Sequence, residues 1–183
     1  MRKIIVIIAI VLAMVAATLM GLRMYTKSFS PEGVATYDTE NIDIEVTYGR
    51  PYRKDRVIFG GLVPYDEVWR TGANEPTTFT TSIDLTVGGK KLTKGTYSLF
   101  TIPGRESWQI IFNEAVPGWG VGLTGEAARD AENDALTVEV PSIESKNIIE
   151  QFTISFEEVH DEIDMVLMWD KTLVVVPLKP AAL

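Results

Sequence analysis

Residues that could bind a ligand are concentrated in one stretch of the chain, residues 48–78. This stretch contains four arginines, one tryptophan, three prolines and four glycines around a short apolar run, a composition typical of turns wrapped around a strand. Loops of this kind commonly carry binding sites on a rigid β scaffold. The candidate ligand-binding residues, one of them from a later loop, are Arg50, Arg56, Tyr65, Trp69, Arg70, Asn74, Glu75 and Trp119.

These residue types indicate binding more than a particular reaction. Aromatic rings offer an apolar face to a sugar or another small polar ligand, while arginine, asparagine and glutamate supply fixed donors and acceptors. A second interpretation stays open for the same residues. The stretch would then be a long structural loop pinned by its arginines, with Trp69 as a lid over one end of the domain and Arg70 stacked on it or paired with Glu67.

The sequence lacks most of the residues that standard catalytic and metal sites use. The absence of cysteine excludes a thiolate nucleophile and a thiolate metal site, and the single histidine, His160, lies in an acidic segment where we expect a solvated loop. We therefore expect no metal site and no cofactor. The alternative function is a carboxylate-dependent hydrolase acting on envelope carbohydrate near Arg70 and Glu75, because 25 acidic residues allow many carboxylate pairs.

The N-terminus predicts a membrane anchor over residues 1–27. Residues 4–22 are nineteen residues without a charge, and about 20 apolar residues in a helix cross a hydrocarbon core of roughly 30 Å. The alternative is a secretory signal peptide, but its apolar region is usually only about 7–15 residues long. An anchor that precedes a whole domain predicts a single-pass membrane protein with the domain on the extracytoplasmic side, in the periplasm or at the cell surface.

The rest of the chain is acidic. The sequence has 17 basic and 25 acidic side chains, and four of the basic ones lie in residues 1–27, which leaves a net charge near −12 on residues 28–183. A field of that sign repels nucleic acid and anionic lipid head groups. We therefore expect no nucleic acid partner, and a carbohydrate or a protein as the possible partner of the domain.

Alternation of apolar and polar residues predicts eight or nine strands and no core helix. Residues 42–48 are the first of these strands, residues 57–62 are a short second one, and Gly88-Gly89 predicts a two-residue hairpin. Trp108 and Trp169 alternate within strands and are predicted core residues. The predicted fold is an all-β antiparallel β-sandwich of jelly-roll type at residues 41–180, after a linker at residues 28–40; a closed barrel is the alternative.

Several long sequence words carry a resemblance to a known family. They are YGRP at 48–51, RVIFGGLVPY at 56–65, VWRTGANE at 68–75, GTYSLFTIP at 95–103 and WQIIFN at 108–113. On these words, residues 42–178 resemble the bacterial family known as domain of unknown function 2911. The resemblance implies an exported or membrane-attached protein without an established activity. An amidotransferase-like label carried by some similar proteins does not fit, because that chemistry uses a cysteine nucleophile.

Overall fold

The computed structural model of the protein describes residues 2–118, 120–121, 126–160 and 162–181. Within these residues it contains one α-helix, a short 3-10 helix and nine antiparallel β-strands. The elements are α1 (Arg2–Phe29), β1 (Glu32–Asp38), β2 (Asp43–Gly49), β3 (Thr78–Thr81), β4 (Leu85–Val87), β5 (Lys90–Leu92), β6 (Gly95–Pro103), β7 (Ser107–Asn113), the 3-10 helix (Ala131–Asn133), β8 (Asp134–Val159) and β9 (Glu162–Pro180).

Helix α1 has no buried residue, and its most apolar part has a mean hydropathy of 2.9. It continues past the predicted apolar run, which ends at Leu22, as far as Phe29. By length and composition the helix is suited to a membrane anchor or a signal sequence.

The strands form one sheet in the order β1-β2-β3-β6-β7-β8-β9-β4-β5, which folds into two layers. β8 belongs to both layers, because residues 134–141 pair with β7 and residues 142–159 pair with β9. Side chains from both layers share one core, which includes Phe79 and Phe112 from the first layer and Trp169 from the second. The all-β sandwich after an N-terminal helix is confirmed.

The outer edge of β8 loses its partner where β7 ends, and residues 48–53 cover it. The Tyr48 hydroxyl donates to the Ile154 carbonyl at 3.2 Å and accepts from the Ile154 N–H at 2.7 Å. Arg50 Nε donates to the Phe152 carbonyl at 3.3 Å, and the Phe152 N–H donates to the Pro51 carbonyl at 2.9 Å. These contacts satisfy backbone groups that would otherwise form an open edge.

Two segments differ from the sequence predictions. Residues 28–40, predicted to be a linker, contain β1, which pairs with β2 from Glu32 to Asp38; it is an edge strand with only Ala35 buried, so it shows no apolar alternation. Residues 57–62, predicted to be a strand, form tight turns, because Gly60 takes a φ of +82° and the Leu62 N–H bonds the Val57 carbonyl.

The last two strands are long, and the predicted hairpin is confirmed. Residues 134–159 form the single strand β8, which is irregular at residues 144–153, and residues 162–180 form β9. Gly88 and Gly89 connect β4 to β5 with φ values of +55° and +79°, as a primed two-residue turn requires.

We predict that Tyr48→Phe destabilises the domain, because the Tyr48 hydroxyl covers the edge of β8. Removal of the hydroxyl leaves the N–H and C=O of Ile154 buried without a partner, so we expect the free energy of unfolding to fall by about 1–3 kcal/mol. Urea unfolding of the full chain in detergent measures this change. Tyr37→Phe is the matched control, because its hydroxyl meets an exposed carboxylate, Glu158, at 3.3 Å; an equal loss in both variants would contradict the role given to Tyr48.

Candidate functional site

Trp69 is a buried residue of the aromatic core, with 8% of its surface exposed. Its backbone pairs with Thr101 in both directions, at 2.7 and 2.9 Å. Its ring stacks on Trp169 at 5.9 Å between centroids, and the edge of Phe152 lies 5.0 Å away. Trp108 and Trp169 are buried as predicted. Trp69 is therefore fixed by core packing, and it does not present an open face on which a ligand could stack.

Buried threonines and a close backbone contact fix the loop that follows Trp69. Thr77 Oγ1 donates to the Thr71 carbonyl at 2.7 Å, and Thr71 Oγ1 donates to Thr101 Oγ1 at 3.2 Å. A Cβ on Gly49 would lie 2.0 Å from the Ala73 carbonyl oxygen, so this close approach requires glycine. The loop therefore holds Arg70 in a defined position against the end of β2.

Two cavities share Trp69 and Arg70 in their walls. The first has a volume of about 570 Å³ and also contains Glu67, Glu126 and Arg129. Arg129 is already paired with the carboxylate of Asp134.

The second cavity has a volume of about 490 Å³ and carries three basic side chains, Lys54, Arg56 and Arg70. None of its described lining residues is acidic, and we call it the basic cavity. Thr26 and Phe29 of helix α1 form part of its wall. Basic side chains thus cluster in this cavity although the chain has a net charge of −8.

Two buried nitrogen atoms in the described residues have no hydrogen-bond partner, Arg70 Nε and Trp169 Nε1. Both residues line the basic cavity. Burial lowers the pKa of the Arg70 guanidinium, because the charged form loses contact with water, but an arginine stays protonated at neutral pH. Both atoms are donors on residues of the cavity wall, and the three basic side chains of that wall suit the cavity to a ligand that brings acceptor oxygens and negative charge.

The candidate residues from the sequence divide into two groups. Four of them, Arg56, Trp69, Arg70 and Asn74, line the basic cavity. The others, Arg50, Tyr65 and Glu75, lie outside both cavities, and Trp119 lies outside the described residues.

Three candidates have structural contacts of their own. Arg50 covers β8 and also donates to Thr153 Oγ1 at 3.1 Å, and Tyr65 lies under the guanidinium of Arg105 at 4.5 Å from the ring centroid. Arg56 lines the basic cavity, although its Nε also donates to the Arg53 carbonyl at 3.0 Å. Arg50 thus makes the hydrogen bonds that the structural interpretation expects, whereas no ion pair between Arg70 and Glu67 is among the described salt bridges.

Sequence reasoning missed several residues of the basic cavity. Lys54 lies in the basic run 50–56, and this run is the sequence signal from which it could be predicted. Trp169 was predicted to be core, and no local pattern shows that its indole N–H lacks a partner. Thr26 and Phe29 belong to the helix, whose contact with the domain is not encoded in any local pattern.

Glu75 joins helix α1 to the domain. Its Oε1 lies 2.8 Å from Arg23 Nη2 and 2.9 Å from Lys27 Nζ, and we call these three residues the helix clasp. Partial burial would raise the pKa of Glu75, but the hydrogen bonds from Arg23 and Lys27 outweigh it and lower the pKa. Beside the clasp, Asn74 Nδ2 donates to the Ser30 carbonyl at 3.2 Å.

The family model described as protein of unknown function (DUF2911) matches residues 30–178. The chain belongs to the DUF2911 family. The match begins before the expected residue 42 and takes in β1, so the segment predicted as a linker is part of the DUF2911 domain. No curated protein and no solved structure matches the chain. The basic cavity therefore provides the evidence on the function of this DUF2911 protein.

The helix clasp predicts a pH-dependent stability. Because the folded pKa of Glu75 lies below its usual value near 4.5, its contribution is present above that pH and is lost as the pH falls through the folded pKa. At pH 7 we expect Glu75→Gln to lower the stability of the full chain by at most about 1 kcal/mol, because the pair is partly exposed. Thermal unfolding in detergent from pH 7 to pH 3 measures the difference, which should shrink below about pH 4.

Glu32→Gln is the matched control for this prediction. Glu32 meets the same Lys27 at 3.6 Å with 56% of its side chain exposed, so its loss should change the melting temperature less than the loss of Glu75. A stability difference for Glu75→Gln that stays constant down to pH 3 would contradict the clasp.

Proposed function

We propose that this DUF2911 protein is a membrane-tethered β-sandwich that binds a small anionic ligand in its basic cavity, on the extracytoplasmic side of the membrane. The observation that carries the proposal is the cluster of basic side chains in one cavity, together with two buried, unpaired donors, Arg70 Nε and Trp169 Nε1, on residues that line it. A buried donor without a partner costs about 1–3 kcal/mol. A ligand oxygen that accepts from these donors would recover that cost on binding.

The charges of the basic cavity set the class of ligand. Lys54, Arg56 and Arg70 face no described carboxylate in the cavity wall, so their charge is available to a phosphate or carboxylate group. A guanidinium binds either group through two parallel hydrogen bonds. The volume of about 490 Å³ lies within the range of roughly 300–1,000 Å³ typical of small-molecule sites.

The hydrolase alternative receives less support from the site. The carboxylate of Glu75 is held by Arg23 and Lys27 and lies outside both cavities. The basic cavity offers no described carboxylate that could serve as a general acid or base. We therefore assign no catalytic residue.

The proposal is tested with Arg70→Met in the full chain. Thermal shift and calorimetry with inorganic phosphate, pyrophosphate and malonate as probes should show binding to the wild type. We expect affinity to fall at least about tenfold in Arg70→Met, while the melting temperature without ligand stays equal or rises, because the substitution removes a buried N–H that has no hydrogen-bond partner.

Arg105→Met is the matched control for Arg70→Met. Arg105 is exposed, lies over the ring of Tyr65 and lines neither cavity, so its loss should leave anion binding unchanged. The proposal fails if none of the three anions binds the wild type, or if they bind Arg70→Met as tightly as they bind the wild type.

A further inference from the structure

The position of the basic cavity beside the helix identifies a source for its anion. We propose that the cavity binds the head-group phosphate of an anionic membrane phospholipid, an inference that rests on the proposed function and on a retained membrane anchor. Three independent features support it: the height of the cavity along the helix, an exposed apolar turn beside it, and the distribution of charge around it.

The helix places the cavity at the level of the lipid head groups. The apolar run 4–22 is about 28 Å long at 1.5 Å per residue, which matches a hydrocarbon core of roughly 30 Å. Thr26, in the cavity wall, lies four residues beyond Leu22, or about 6 Å further along the helix axis. Because the head-group layer on each side of a bilayer is roughly 5–8 Å thick, this wall lies at phosphate depth.

The helix clasp fixes this height and leaves the cavity charges free. Arg23 and Lys27 both pair with Glu75, Lys27 also lies 3.6 Å from Glu32, and neither cation lines the basic cavity, so they do not compete for the same phosphate. Lys54 Nζ lies 4.4 Å above the ring of Phe29, which holds the basic loop against the helix end. The positive charge of the cavity thus remains at the membrane end of the domain.

A turn beside the cavity exposes two large apolar side chains. Val57 and Leu62 are 70% and 47% exposed, and the Leu62 N–H donates to the Val57 carbonyl at 3.0 Å. Leu62 is also a wall residue of the basic cavity, and the preceding residues Lys54 and Arg56 are basic. Apolar side chains next to basic ones are typical of surfaces that lie in the membrane interface.

The net negative charge of the domain does not prevent an anionic head group from binding at this site. Net charge near −12 predicts repulsion of anionic head groups by the domain as a whole, but at physiological salt charges are screened beyond about 8 Å. No acidic side chain is among the described residues that line the basic cavity. A tether also keeps the cavity at the lipid surface, so a modest intrinsic affinity gives high occupancy.

The experiment uses the full chain in detergent micelles that contain equal mole fractions of either phosphatidylglycerol or phosphatidylcholine. Thermal unfolding measures stabilisation, and native mass spectrometry measures bound lipid. In a parallel experiment, inorganic phosphate and glycerol 3-phosphate are added as soluble ligands. We expect phosphatidylglycerol to raise the melting temperature above that in phosphatidylcholine and to remain bound as one molecule. Arg70→Met should lower that binding at least about tenfold, and Arg105→Met should retain it.

Val57→Asn, which adds polarity without charge, separates the lipid from a free phosphate. Val57 lines neither cavity, so this variant should weaken phosphatidylglycerol binding and leave inorganic phosphate binding unchanged. Phosphatidylglycerol binding equal to the wild type would overturn the placement of this turn in the bilayer surface.

The remaining outcomes distinguish the inference from the proposed function. Binding of soluble phosphate that depends on Arg70, without any preference for phosphatidylglycerol, overturns the lipid inference and leaves the proposed function standing. Phosphatidylglycerol binding that survives Arg70→Met overturns the inference, because the lipid then lies elsewhere. If neither phosphate nor lipid binds, both proposals are overturned.

Discussion

The shared strand β8 is the constraint on which the rest of the domain depends. A strand that serves two layers needs partners for its buried backbone groups beyond the reach of β7, which pairs only with residues 134–141. At residues 152–154, Tyr48, Arg50 and Pro51 supply these hydrogen bonds. This requirement binds the end of β2 to β8 and starts the long loop at a fixed point. The loop then turns back over the aromatic core, where it forms the walls of the basic cavity.

The arginines of this loop differ in whether their N–H donors have hydrogen-bond partners. Arg50 donates to a backbone carbonyl of β8, Arg53 Nε meets Asp170 Oδ1 at 2.8 Å, and Arg56 donates to the carbonyl of Arg53. Arg70 is different, because its Nε is buried without a partner. Satisfied donors stabilise the fold and unsatisfied ones destabilise it, so the structural interpretation accounts for Arg50, Arg53 and Arg56 but not for the Nε of Arg70. The proposed binding role therefore concerns Arg70 above all.

The sequence predicts strands where burial alternates and fails where it does not. β2 is predictable because one of its faces is buried, so apolar and polar residues alternate. The Gly88-Gly89 hairpin is predictable because its turn needs positive φ at both positions. β1 is not predicted, because an edge strand buries few side chains and shows no apolar alternation. The strand predicted at residues 57–62 is wrong, because apolar content alone does not make a strand. The basic cavity depends on residues far apart in the chain, such as Trp69 and Trp169, whose contact no local pattern encodes.

The contacts of helix α1 bear on the choice between an anchor and a cleaved signal sequence. Thr26 and Phe29 form part of the cavity wall, and Glu75 is neutralised by two cations from the same helix. Loss of the helix would open that wall and would leave a bare carboxylate close to a cavity that otherwise carries only positive charge. A signal sequence that is removed has no need of such specific contacts with the mature domain. We therefore propose a retained anchor, in which helix α1 tethers the domain and forms part of the wall of the basic cavity.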